Sequence, residues 1–225
     1  MNFIDFTQKL SKYFSLTLYL LLLFHTFAKH HSSHHSCAMK QSWKPGTMIY
    51  PLPAVLVSCG SDIEHSNFLT VAWTGTLCTN PPMCYVSIRP ERFSYPIIKE
   101  QMEFTINLTT EKMAHATDWA GVKSGRDFNK WKETGLTPVK GEKVSCPFIK
   151  ESPLSIECKV KTIIPLGSHD MFIAEVINML ASDEFIDPQT GTFHLEKAGL
   201  INYSHGQYFS QGQALGRFGW TVKKK

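Results

Sequence analysis

Two short segments concentrate residues able to hold a flat, anionic ligand. The first is Asn67-Phe68-Leu69-Thr70-Val71-Ala72-Trp73-Thr74-Gly75 and the second is Ser87-Ile88-Arg89-Pro90-Glu91-Arg92-Phe93-Ser94. On a strand, Thr70, Ala72 and Thr74 share one side while Val71 and Trp73 take the other. The side with Thr70, Ala72 and Thr74 is small and hydroxylated, so a planar ring can lie close to the backbone. Peptide N–H groups at a strand end are free to bond ring carbonyls. The second segment closes a strand with two arginines and two serines, and a helix is predicted just after Ser94. Guanidinium, hydroxyl and helix N–H groups together suit a phosphate. A polar hairpin followed by a solvated basic turn would give the same pattern, and these residues alone leave both readings open.

Other chemistries lack their signatures. No G-x-G-x-x-G follows a strand, and there is no Walker loop, H-E-x-x-H or G-x-S-x-G. His115, His169, His194 and His205 are scattered. The six cysteines, Cys37, Cys59, Cys78, Cys84, Cys146 and Cys158, include no C-x-x-C pair. That is too sparse for a disulfide scaffold in 225 residues and points to reduced thiols. Cys158, at an apolar position of an alternating segment, reads as a buried thiol. The net charge of +4 is mild, and the dense basic run Lys223-Lys224-Lys225 sits at the tail as a solvated end, so nucleic acid is not an expected partner.

The elements that must position these segments are mostly strands. Ala54 to Cys59 and Asn67 to Thr74 read as a hairpin across the polar loop Ser61 to Ser66. Pro81-Pro82 then breaks the chain before a third strand, Met83 to Ile88. Ser155 to Lys161 alternates, with even positions apolar, as a half-buried strand does. His169 to Leu180 is apolar on both faces and is expected to be enclosed on both sides. Helices are expected at Tyr95 to Gln101, capped by Ser94, at Glu111 to Ala120, and near Asp127 to Glu133. The fold class is therefore mainly β: a Greek-key-like barrel with a few peripheral helices.

The ordered strings N-F-L-T-V-A-W-T-G, P-P-M, S-I-R-P-E-R-F-S and E-F-T-I-N resemble the flavin reductase-like family of FMN-binding split β-barrels, in its flavoredoxin branch. So do S-G-R-D-F-N-K-W at Ser124 to Trp131 and G-Q-Y-F-S-Q-G-Q-A-L-G-R-F-G at Gly206 to Gly219. The resemblance runs from about Trp43 to the C-terminus. It implies a homodimer with non-covalent FMN near the interface. Asn67, Thr70, Val71, Ala72 and Trp73 would then line the ring and ribityl chain, and Ser87, Arg89, Arg92 and Ser94 would hold the phosphate, with Asn107 nearby. It implies an oxidoreductase taking electrons from NAD(P)H, or a flavoredoxin-type carrier serving a redox partner protein. No metal is called for, and Cys78 is either a packed thiol or a neighbour of the flavin. A pyridoxal phosphate or haem module on the same barrel is disfavoured, because no Lys is placed for a Schiff base and no His or Met pair for axial ligation.

Residues 1–38 differ from the rest. Lys9 and Lys12 precede an apolar run from Phe14 to Ala28, followed by His30-His31-Ser32-Ser33-His34-His35. The run is about 15 residues, short for a span of roughly 20. A misplaced start ahead of Met39, a signal peptide and an anchor all remain open. The domain is expected over residues 39–225, without stable membrane association, in the cytoplasm or, failing that, exported.

Overall fold

The computed structural model describes residues 39–222, and both the leader reading of residues 1–38 and the Lys223–Lys225 tail lie outside them. The chain divides into two units between Thr47 and Met48, and the strands and α-helices of the described residues lie in the second. Its strands are β1 (Leu52–Pro53), β2 (Val55–Cys59), β3 (Asn67–Val71), β4 (Thr74–Cys78), β5 (Met83–Ile88), β6 (Glu103–Leu108), β7 (Pro138–Val139), β8 (Phe148–Ile149), β9 (Leu154–Pro165), β10 (Asp170–Ala181), β11 (Ile201–Ser204) and β12 (Gln207–Ser210). Its α-helices are α1 (Ser94–Gln101), α2 (Ala114–Val122) and α3 (Lys130–Thr134).

Seven strands form one antiparallel sheet in the order β3-β2-β6-β9-β10-β5-β4. The outermost strands, β3 and β4, are consecutive in sequence and separated only by Ala72 and Trp73. Laid flat, the two edges would stand about 29 Å apart, while the connecting backbone reaches about 11 Å. The sheet must therefore roll into a barrel, and the Ser87 amide, donating to the Trp73 carbonyl at 2.8 Å, carries the β4–β5 pairing one residue into the corner. Bulges in the β9–β10 pairing, at Ile173/Ala174 and Val176/Asn178, supply bending. This corrects the expected strand from Asn67 to Thr74: the ladder stops at Val71, turns at Ala72–Trp73 and restarts on the opposite edge.

Two apolar cores explain the strand patterns. Inside the barrel, Val55, Val57, Phe104, Ile106, Cys158 and Phe172 pack together, with Tyr95 and Ile98 of α1 closing one end. Outside it, Leu56 and Phe68 meet Met113, Ala116, Ala120, Trp131, Leu136 and Ile149. β2 lies between both cores and is buried at all five positions, so it reads as a continuous apolar run. Burying Leu56 alone contributes roughly 1.5–3 kcal/mol.

Other expectations need correction. Ser155 and Glu157, on the polar side of β9, are buried because the segment from Gly141 to Ile149 covers them; the Glu157 carboxylate accepts from the Glu142 and Lys143 amides and from Asn178. β10 is buried fully only at Phe172 and Ala174, so one of its faces is half open rather than enclosed. Ser94 is the first residue of α1, not its cap. The segment from Glu111 begins with a 3₁₀ turn, Glu111–Met113, and continues as α2 to Val122. α3 starts three residues later than expected, with the Asn129 side chain accepting from the Lys132 amide. Among the described residues, no helix is long and apolar enough to cross a membrane.

Candidate functional site

The corner at Ala72–Trp73 lies beside the end of β5, and the two make the floor of a cleft of about 400 Å³. Thr70, Val71, Ala72, Trp73, Ser87, Arg89 and Arg92 all line it. The opposite wall comes from α2, through Asp118 and Gly121, and from the β11–β12 hairpin, through Tyr203 and Tyr208. That hairpin turns at His205-Gly206, both at positive φ, the backbone that a two-residue turn between twisted strands requires. His169 leans on Trp73, ring centres 4.3 Å apart and planes inclined by 37°. Burial, and next the Arg89 charge, hold His169 below the usual histidine range, which favours a neutral imidazole at neutral pH. Burial and the Asp118 carboxylate push Tyr208 up to about 12, so it stays a phenol.

A second cleft, of about 250 Å³, shares Thr70, Arg89, Arg92 and Gly121 with the first and is strongly basic. Asn67 and Ser94 line it and bond each other, Asn67 Nδ2 donating to Ser94 Oγ at 2.7 Å. Thr70 Oγ1 donates to the Thr117 carbonyl at 2.5 Å, tying β3 to α2. Arg92 Nη1 donates to the Gly121 carbonyl at 3.1 Å, and Arg89 Nε pairs with Glu91 at 2.8 Å. Gly125 is required here, since a Cβ at that position would lie 2.4 Å from Asn67 Oδ1.

Lys130 is the group with the least ordinary surroundings. It is 4% exposed, its Nζ donates to the Ala120 carbonyl at 2.7 Å, and it sits 5.9 Å from the centre of the Phe68 ring. Among the described residues no carboxylate lies within ion-pair distance of it. Burial, then the neighbouring Arg92 charge, push it down to about 8. A buried ammonium without a counter-ion is costly to hold, and a dianion in the second cleft would relieve that cost.

Asn107 belongs to neither cleft. Phe104 and Ile106 point into the barrel, so Thr105 and Asn107 face outward under the segment carrying β8. The Asn107 amide donates to the Leu56 and Thr105 carbonyls and to Ser58 Oγ, and its oxygen accepts from Ile149 N and Ser155 Oγ. Cys78 is also absent from the cleft lining; its thiol bonds the Asn80 carbonyl. Sequence reasoning passed over His169, Lys130, Gly125, Tyr203 and Tyr208 as site residues. Lys130 and Gly125 lie within the string Ser124 to Trp131, whereas His169 carried no local signal.

The model of the flavin reductase like domain matches residues 47–209. An uncharacterised protein of Archaeoglobus fulgidus is 32% identical over 139 residues, 62% of this chain and 77% of its own. An NADPH-flavin oxidoreductase of Streptomyces viridifaciens is 25% identical over 126 residues, 55% of this chain and 64% of its own. Among solved structures, the flavoredoxin of Desulfovibrio vulgaris (Miyazaki F) is similar at a TM-score of 0.75 and 30% identity, covering 82% of this chain and all of that one (100%). An FMN-binding protein from Thermus thermophilus shares the fold at a TM-score of 0.67 and 22% identity, covering 80% of this chain and 99% of that one. With the barrel closing at Ala72–Trp73 and the family match spanning both clefts, the chain belongs to the flavin reductase-like family of split β-barrels.

Proposed function

We propose that this protein binds FMN without a covalent bond and acts as an oxidoreductase that draws electrons from NAD(P)H. The observation that carries the reading is Lys130, a buried cation lacking a carboxylate, beside Arg89 and Arg92 where the basic cleft meets a cleft walled by Trp73. The two clefts suit the two ends of FMN: a flat apolar-sided ring in the first and a phosphate dianion in the second. Small side chains at Ala72 and Gly121 leave room for the ring.

When bound, FMN supplies the redox chemistry, accepting two electrons from a nicotinamide and passing them on. The protein's residues bind and orient. Ala72 and Trp73 lie outside both strand ladders, so their amides would be available to hydrogen-bond the carbonyls of a bound ring. Arg89, Arg92 and Lys130 neutralise the phosphate, while Asn67 and Ser94 fix the wall between them. Neutral His169 lines this cleft and would be able to accept a proton there. The Trp73–His169 stack shields one side of the cleft from water.

A second reading is supported by the likeness to flavoredoxin: an electron carrier that trades electrons with a redox partner protein. Mixing the flavin-loaded protein with NADH and with NADPH under anaerobic conditions tests the two. Bleaching of the yellow band at a catalytic rate is the expected result, and a protein reduced only by chemical reductants is a carrier.

The domain is taken to run from Met39 to Lys225 and to work as a homodimer. The exposed apolar side chains Leu215, Phe218 and Trp220, beyond β12, support a covering partner. Light scattering at micromolar concentration should give twice the chain mass. Buried free thiols at Cys59, Cys84, Cys146 and Cys158 suit a reducing cytoplasm.

A further inference from the structure

Lys130 and Arg92 converge on one helix end. The carbonyls of Ala120 and Gly121 lie in the last turn of α2, where helix carbonyls run out of amide partners. They accept from Lys130 Nζ at 2.7 Å and from Arg92 Nη1 at 3.1 Å, so two cations are held side by side. Arg92 opens to solvent, whereas Lys130 is buried against the Phe68 ring. Of the two, only the lysine can give up its charge, since a guanidinium does not deprotonate in a protein. Burial and the Arg92 charge both work in that direction and hold the amine at about 8. The Cys59 thiol opposes them, as the smallest of the three influences.

A neutral amine here is a nucleophile whose surroundings favour an anionic product. Arg92, Lys123 and Arg126 line the basic cleft with it and have no ion-pair partner among the described residues, while Arg89 is paired with Glu91. Two further carboxylates, Glu64 and Asp127, line an outer cleft of about 460 Å³ that meets Lys130 from the other side. Neither lies within ion-pair distance of the amine. An electrophile that reaches a nitrogen buried against a phenyl ring must be small and uncharged, and one that suits these cations must leave a negative charge. Carbon dioxide meets both conditions.

We propose that Lys130 is a carbon dioxide acceptor, forming a carbamate on Nζ when the basic cleft holds no phosphate. The Nζ lone pair forms the N–C bond, one C–O π pair moves onto oxygen, and the nitrogen releases a proton to water. Amine and carbon dioxide thus give carbamate and one proton, with no change of oxidation state. The nitrogen keeps one hydrogen, which can go on donating to the Ala120 carbonyl, and the new carboxylate enters the cleft lined by Arg92 and Arg126. The modification stands on the surroundings of Lys130 alone. Its consequence, competition between carbon dioxide and FMN for the same cations, rests on the flavin reading.

The test equilibrates the flavin-free protein with isotope-labelled bicarbonate and carbon dioxide at about pH 8. Carbamates are fixed as ethyl esters with triethyloxonium ion and mapped by peptide mass spectrometry. At that pH roughly half of the Lys130 amine is neutral, against less than about 1% for an ordinary lysine at 10.5. Label at Lys130 should exceed that at exposed Lys132 by about tenfold or more, and Lys130→Met should lose it. Label at Lys130 no higher than at Lys132 overturns the proposal, and this comparison within one protein does not depend on how the variant folds. Carbon dioxide at constant pH should also weaken FMN several-fold and leave riboflavin unchanged. If Lys130 is labelled while FMN affinity does not move, the carbamate stands and the placement of the flavin phosphate at Lys130 fails.

Discussion

Two clusters of buried polar groups flank the outer core, and they are built on opposite plans. Under β8, Asn107 has both its amide hydrogens and its oxygen committed, and Glu157 accepts from three donors. Among the described residues no buried side-chain polar atom lacks a partner. At the basic cleft, Lys130 is as deeply buried but meets one carbonyl and no carboxylate. Hydrogen-bond satisfaction is complete in both places, but the Glu157 charge is spread over three donors, whereas the Lys130 ammonium meets a single carbonyl. A saturated network holds a loop onto a barrel. An uncompensated cation at the end of a cleft costs stability, and that cost is recovered only when an anion arrives.

The largest effect expected from this contrast is on stability. Asn107→Ala strips partners from Ser58, Ile149 and Ser155 and leaves buried groups unpaired, at about 1–3 kcal/mol each. A total loss of roughly 3 kcal/mol should appear in urea unfolding, with FMN affinity unchanged in the fraction that remains folded. If instead Asn107→Ala folded normally and bound FMN poorly, the division between the two clusters would be wrong.

Lys130→Met sharpens the contrast from the other side. The thioether keeps the unbranched shape, one atom shorter, and removes the charge, so stability without ligand should hold within about 1 kcal/mol or rise. FMN should weaken by up to roughly a hundredfold, since a charged hydrogen bond contributes about 1.5–3 kcal/mol. Riboflavin, without the phosphate, should bind as before. Equal losses for both flavins would mean that Lys130 holds the wall rather than the anion.

Arg92→Ala should follow the same pattern more weakly. Arg92 is exposed and already donates to the Gly121 carbonyl, so part of its charge is screened by water. About a tenfold loss for FMN and little for riboflavin is the expected titration result. No loss, or the same loss for both, removes Arg92 from the phosphate site.

The sequence carried this contrast only in part. β5 was legible to its boundaries, because alternation and the flanking prolines agree. β2 was legible as a strand, since a run of five apolar-compatible residues flanked by loops has few other uses. The turn at Ala72–Trp73 was not, because small and aromatic residues continue the alternation and only barrel closure demands a corner there. Asn67 and Asn107 show why sites are harder than folds. Both are asparagines on strands with apolar neighbours, and one bonds a cleft serine while the other is consumed under a loop. What separates them is the partner chain segment, 27 residues away for Asn67 and 42 for the Ile149 amide that Asn107 accepts from. Lys130 stood out only as part of the string Ser124 to Trp131, since burial of a lysine leaves no mark in local pattern.

The smallest expected effect is a pH dependence, and its sign tests the account of Lys130 most directly. Burial holds this lysine at about 8, against 10.5 for an ordinary one. Between those values the unfolded chain carries a proton that the folded, flavin-free protein has given up. The unfolded state binds more protons there, so stability without ligand should rise as pH climbs from about 8 to 10.5. A bound phosphate favours the ammonium and draws the pKa back up. Binding FMN therefore takes up a proton above pH 8, and affinity should fall by at most about tenfold between pH 7 and pH 9. Riboflavin affinity should stay flat over that interval, as should FMN affinity for Lys130→Met. The two trends have opposite signs for one titrating group, stability rising while affinity falls, which a general alkaline loosening of the barrel cannot produce. Parallel titrations of urea midpoint and FMN dissociation constant from pH 7 to 9.5 would show it. A fall in both together would place the titrating group elsewhere.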